Sequence, residues 1–562
     1  MQNPAFSAPA CGLLAFCVLA APAAAQDDPV LMGPPPRDAV ALPGPLAEGV
    51  SDETRVTAVA LNYCRAALHR IRRRPTPQVL REERTRILDN LNLSGIADAE
   101  VIALYSALLD EINGVTVSRT QTRLTGEHHA RSIRRKAVWD TLAFTTQLAT
   151  AQFASAVRTG ADSWWDVRDM GYRRDSDLLK IERERMASVV DKSQLFLDTF
   201  WKLARKRQIP DAWLVRGQDL DRLAAANSEE DAAVRLRRLS RLEAYLAAYP
   251  PYWYHLARTR QELGQSAAAV ETYAILEQLQ KGRFRVDEML AASLANMALL
   301  EDELGRSAAG ETAARALAAA PDVWQANLAA ARVLQRTGRV AMSEEAILRN
   351  VDGGLEMATS QTFRLGLYYH AGDAAKVRAA LADPDVVRHA AAPAVVRCLA
   401  MLPAEDVPAV AVAELSRSLA AYPQLAFGSD ELLIAADDRW RLAAADWSFP
   451  VLEGSAAAPQ VTAVRGGHTA RLSGPFEWGN PIRGAAGMEV EMMLTYPDSS
   501  RVTLTLRELA GTRATARPIP GQRSMPRTVL AIAAVRAEGT LISFAPSTPV
   551  RAAELPGEYA VE

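Results

Sequence analysis

An interval of about 34 residues constrains this chain more than any other feature, because repeat spacing on that scale signals a stack of similar units. Gly264, Gly305, Gly338 and Gly372 stand 41, 33 and 34 residues apart, between alanine- and leucine-rich stretches with helical spacing. A five-residue frame, Leu-Ala-Ala-x-Pro, accompanies them at residues 246–250, 317–321 and 419–423. Pro321 and Pro423 lie 102 residues apart, or three intervals, and Pro250 and Pro321 lie 71 apart, or two intervals and a short insertion. A helix that ends in a tight corner often needs a left-handed residue there, which glycine adopts without steric cost. The pattern predicts helix pairs over residues 216–446, with an insertion near 281–285 accounting for the long first interval.

Within this region the chain resembles the tetratricopeptide-repeat family. Trp253, Leu256-Ala257, Gly264, Ala269 and Tyr273 stand at the spacings that family uses for its large, small and turn positions. Ala298, Gly305 and Pro321 follow in a second unit, Ala331 and Gly338 in a third, and Leu365-Gly366, Tyr369 and Gly372 in a fourth. The third unit departs from the pattern, since Trp324 precedes its glycine by 14 residues instead of 11. The resemblance implies an α-α superhelical solenoid whose groove is lined by the first helix of each pair. Its inward positions here would be Tyr254, Arg258, Gln261, Asp302, Arg332, Gln335, Arg336 and His370. An aromatic ring, arginines and amides suit capture of a protein or peptide, arginine and tyrosine being favoured interface anchors.

The flanks divide the rest of the chain. Residues 1–25 carry a short apolar run ending in Pro22-Ala23-Ala24-Ala25, the pattern of a cleaved export signal, although no Lys or Arg precedes it. Phe16 before Cys17 argues against a lipid-anchored cysteine. Residues 26–47 form a proline-rich linker. Residues 48–215 are expected to be an α-helical bundle, opened by the cap Ser51-Asp52-Glu53 and containing helices over 87–93 and 101–112. A near-heptad seam from Leu179 to Leu203, through Met186, Val189, Phe196 and Phe200, suits bundle packing and also offers a route to a homo-oligomer. Export would remove Cys11 and Cys17, leaving Cys64 and Cys398, which read as buried thiols.

After Trp447 helical periodicity gives way to alternation. Residues 461–464, 488–495, 501–507 and 528–535 read as strands, with a hairpin turn at Tyr496-Pro497-Asp498-Ser499-Ser500. Val502, Leu504 and Leu506 alternate with Thr503, Thr505 and Arg507, which predicts one buried and one wet face. The fold class is thus mainly α, with a small β-sandwich- or barrel-like region over 447–562.

Composition excludes some functions. Lys+Arg number 64 and Asp+Glu 66, so no global charge draws the chain to nucleic acid. No segment after the signal reaches the length of a membrane-spanning apolar helix. Phosphate-binding loops, nucleophile elbows and zinc-protease helices are missing from the sequence. Adjacent histidines in Glu127-His128-His129 point about 100° apart on a helix and make a poor metal pair. Trp164-Trp165 reads as bundle packing, the basic clusters at 70–74 and 131–136 as salt-bridged helix faces, and Glu405-Asp406 and Asp437-Asp438 as solvated turn charges. The expectation is an exported, cofactor-free scaffold, periplasmic or secreted, that binds envelope proteins through its groove. The alternative is an envelope polysaccharide-binding protein or enzyme acting through the β-region.

Overall fold

A computed structural model describes residues 50–73, 200–418 except 285, and the strands and one short helix between 419 and 543, with isolated positions elsewhere. The expected signal, linker, helices over 87–93 and 101–112, histidine pair, Trp164-Trp165 and most of the seam lie outside the described residues.

The helix pairs begin and end where local chemistry dictates. In chain order the described helices are α1 (Asp52–Arg73), α2 (Gly217–Asn227), α3 (Ala232–Ser240), α4 (Glu243–Leu246), α5 (Pro250–Glu262), α6 (Ser266–Gln280), α7 (Glu288–Glu303) and α8 (Ala309–Ala319). They continue with α9 (Trp324–Arg336), α10 (Val340–Asp352), α11 (Met357–His370), α12 (Ala374–Leu381), α13 (Pro384–His389), α14 (Ala392–Met401) and α15 (Ala409–Arg417). Ser51 caps α1 by accepting from the Thr54 N–H at 3.1 Å. Asp231, Asp287, Asp373 and Asp383 cap α3, α7, α12 and α13 in the same way. Each of the four corner glycines is left-handed, with φ of 71°, 67°, 78° and 68°. At Gly338 the Schellman pair is complete: its N–H reaches Gln335 O at 3.2 Å, and the Arg339 N–H reaches Leu334 O at 2.8 Å.

From α5 to α13 successive helices pack on their sequence neighbours, and α7 also packs on α9. Thirteen of the sixteen residues of α7 are buried, because α7 is apolar on nearly all sides and neighbours surround it. One core runs from α1 through α11. Helix α1 belongs to it through Val59, Tyr63 and Ala66, so the first described helix packs on the array. Asn62, fully buried, fastens it: its amide donates to Trp213 O at 2.7 Å and Ala248 O at 3.0 Å, and accepts from the Val215 N–H at 3.0 Å. Phe200 and Leu203, from the end of the predicted seam, pack with Leu61, Cys64 and Leu68 inside this chain. At the described end of the 70–74 cluster, Arg70 pairs with Glu83 and Arg73 with Asp221.

The sheet comprises β1 (Leu419–Ala426), β2 (Ser429–Asp437), β3 (Asp446–Ser448), β4 (Gln460–Val464), β5 (Gly467–Ser473), β6 (Glu489–Thr495), β7 (Arg501–Glu508), β8 (Ala514–Thr515), β9 (Pro526–Ala537) and β10 (Thr540–Ser543). All of the described pairings are antiparallel, along the path β3-β6-β7-β9-β1-β2-β5-β4. The expected hairpin turn closes with the Tyr496 N–H donating to Ser500 O at 2.9 Å. Val502, Leu504 and Leu506 are buried, while Thr503 and Thr505 between them are half-buried.

Two expectations need correction. Strands begin at Leu419, not after Trp447, so the third Leu-Ala-Ala-Tyr-Pro frame is extended chain and no evidence for another repeat. Pro423 pairs only with β2, since β9 meets β1 at Ala420 and Ala421 alone; a proline is tolerated where one side of a strand carries no ladder. Among the described residues, the β-region also has no separate core on its helical side. Leu365, Val395, Leu399 and Leu415 from α11, α14 and α15 share one cluster with Met492, Leu494, Leu504 and Val535 from β6, β7 and β9. Each such side chain, fully buried, contributes about 1.5–3 kcal/mol. Cys398 lies in this cluster and Cys64 in the one around α1, so the two thiols do not pair with each other.

Candidate functional site

The eight residues expected to line the groove divide into two sets. On α5, Tyr254 and Gln261 are fully buried. Helix α5 packs against α3, α6 and α7, and neighbours on several sides leave little surface for an aromatic residue. The Gln261 side-chain oxygen accepts from the Tyr273 hydroxyl of α6 at 2.9 Å and from Arg258 at 3.3 Å. Tyr254 and Gln261 are therefore core residues that tie α5 into the array, which corrects their reading as groove anchors.

The other five residues come from the final turns of α7, α9 and α11. Asp302 on α7 pairs with Arg336 on α9 at 2.5 Å. Arg332 lies one turn earlier on α9, and its Nη1 donates to the Gln335 side-chain oxygen at 2.9 Å. Its Nε is buried with no acceptor. Burial and the adjacent Arg336 charge push the Arg332 guanidinium below its ordinary value, with only Asp302 pulling the other way. His370, at the end of α11, is held below its ordinary value by partial desolvation of its ring, by Arg397 and by Arg332, against the pull of Asp498. The imidazole thus stands within the field of both arginines.

The structure adds residues that sequence reading missed. Arg397 of α14 lies over the Tyr369 ring at 4.3 Å and the Tyr496 ring at 4.8 Å, and pairs with Asp498 in the β6–β7 turn. The Tyr496 hydroxyl donates to Pro393 O at 2.6 Å, so the turn is fastened to α14 twice. Burial pushes the Asp498 carboxyl up, but the Ser500 hydroxyl and N–H and the Arg397 charge outweigh it and hold the group below its ordinary value. One signal was available: Arg397 is the only charged residue in α14, and such a residue in an apolar helix needs a partner. The result is a polar strip crossing α7, α9, α11, α14 and the β6–β7 turn. Guanidinium, amide, imidazole and phenol groups in this order can hold carboxylates, backbone carbonyls and aromatic side chains.

Other chemistry finds little support along this strip. The Cys398 thiol, next to Arg397 in sequence, is pushed up to about 12 by burial, which makes it a poor nucleophile. Among the described residues no three His, Cys, Asp or Glu side chains gather in a way that could hold a metal ion. Among the same residues, no helix is long and apolar enough to cross a membrane. Two clefts of about 480 and 340 Å³ flank Trp201, sharing it and Asp211 in their walls, and neither is lined by a residue of the strip. Gly467 and His468 open β5.

No protein-family model, curated protein or solved structure matches this chain.

Proposed function

We propose that the protein is an exported, non-enzymatic scaffold whose helix pairs form a tetratricopeptide-like solenoid that holds a protein partner of the cell envelope. The reading is carried by the strip itself. Helices α7, α9, α11 and α14 bring charged and aromatic groups together, and the strip contains no nucleophile–base pair for chemistry. Left-handed glycine corners and neighbour-on-neighbour packing support the solenoid, since such arrays build their binding surfaces from successive units. The same proposal takes the sheet as a sandwich- or barrel-like cap on the last helices, and the apolar run at residues 13–21 as part of an export signal.

The test is site-specific photocrosslinking from Gln335 and His370 in intact cells, followed by reconstitution of the captured partner with purified protein. The expected result is a single main partner lost when Arg332, Arg336 and Arg397 are replaced together by Ala. Partner recovery unchanged by a folded triple variant would refute the strip as the binding surface. Fractionation with N-terminal sequencing of the mature chain checks export, with cleavage expected after Ala25.

A further inference from the structure

The strip carries three arginines, and their charges are not equally balanced. Arg336 holds Asp302, and Arg397 holds Asp498. Arg332, one turn before Arg336 on α9, makes no ion pair with a carboxylate among the described residues. Its Nη1 is engaged by the neutral Gln335 amide, and its Nε is buried without an acceptor. A partly buried guanidinium without a direct ion pair is costly to keep, because burial removes water while the only opposing charge acting on it, Asp302, is bound to Arg336. A residue serving only to pack α9 would be better replaced by an uncharged side chain. Nearby, Arg336 and His370 add positive or polar character, and the two acids of the strip, Asp302 and Asp498, are committed to Arg336 and Arg397.

We propose that Arg332 is the anchor of a carboxylate-binding subsite, filled by an aspartate or glutamate side chain of an extended, acidic segment of the partner protein. The carboxylate completes the charge on the guanidinium, with Gln335 orienting Arg332 and the His370 ring forming one wall. An extended segment suits the strip because its polar groups run across four helices and a turn. This inference rests on the scaffold reading and gives it a recognition chemistry.

The test uses the full chain and two fluorescent peptides, both amidated at the C-terminus to remove the terminal carboxylate. One alternates glutamate with glycine and the other replaces every glutamate by glutamine. Anisotropy is expected to show the glutamate peptide binding about tenfold or more tightly than its glutamine counterpart, the scale of a charge-assisted contact. Arg332→Gln should abolish that preference, and Arg332→Lys should restore part of it. Melting of Arg332→Gln at or above the wild-type temperature establishes that the variant folds and that the arginine does not serve stability. Equal binding of the two peptides, including no detectable binding of either up to millimolar concentration, overturns the subsite. So does a preference that survives Arg332→Gln, or displacement of the peptide by inorganic phosphate or anionic vesicles at comparable concentration. A partner crosslinked from Gln335 that shows no dependence on its acidic residues leaves the scaffold standing and removes only this inference. Failure to capture any partner removes the scaffold reading itself.

Discussion

Two glycines with opposite backbone roles give the sharpest prediction. Gly338 closes the α9–α10 corner with φ of 78°, whereas Gly366 lies inside α11. A Cβ added at either position meets nothing within 4 Å, so packing does not enter and the backbone alone decides the sign. Forcing an alanine into the left-handed region costs about 1–2 kcal/mol. Alanine also stiffens the unfolded chain, which offsets about 0.4–1 kcal/mol of that cost. Gly338→Ala should therefore destabilise the array by about 1 kcal/mol. Gly366→Ala should stabilise it by about 0.8–1 kcal/mol, the helix-propensity difference between the two residues. The predicted gap is about 2 kcal/mol between substitutions that are chemically identical. Urea denaturation followed by circular dichroism, read as a shift in midpoint at constant slope, measures it. Shifts of the same sign in both variants would show that the corner is not left-handed or that α11 does not contain Gly366.

Three further outcomes follow from contacts. Asn62→Leu leaves two carbonyls and one N–H without their buried partner, and should cost about 3 kcal/mol or more in the same assay, with loss of protection in α1 by hydrogen exchange. Tyr496→Phe removes the bond to Pro393 O, and should cost about 1–2 kcal/mol while raising exchange in the β6–β7 hairpin more than in α5–α8. Asp498 has a lowered folded-state value, so its contribution is present at neutral pH and lost as pH falls through that value, below the ordinary aspartate range near about 3.9. Acid titration of Asp498→Asn should show a shallower loss of stability there than the wild type, and parallel curves would refute the assignment.

Much of the local structure was legible because it depends on neighbours in sequence. Glycine corners, the Ser51 cap, the proline starts and the two-residue alternation of β7 each express a backbone or amphipathic preference that acts over a few residues. The site was legible only in part. Asp302, Arg332, Gln335, Arg336 and His370 come together near the ends of α7, α9 and α11, since helical spacing sets which residues share a face. Tyr254 and Gln261 do not, because periodicity gives the direction of a side chain on its helix but not how many neighbours surround that helix. Arg397, Tyr496 and Asp498 stayed hidden because their association joins residues about a hundred positions apart.

The Leu-Ala-Ala-x-Pro frame shows the division most clearly. By itself the sequence determined that each copy holds a proline, and so a place where one N–H is missing and φ is confined. It did not determine what that proline does. Pro250 starts α5 in its first turn, Pro321 follows the end of α8, and Pro423 lies inside β1. Only the tertiary structure decided among these, because the choice depends on which partner satisfies the neighbouring backbone groups: the next turn of a helix, a loop, or the ladder of β2.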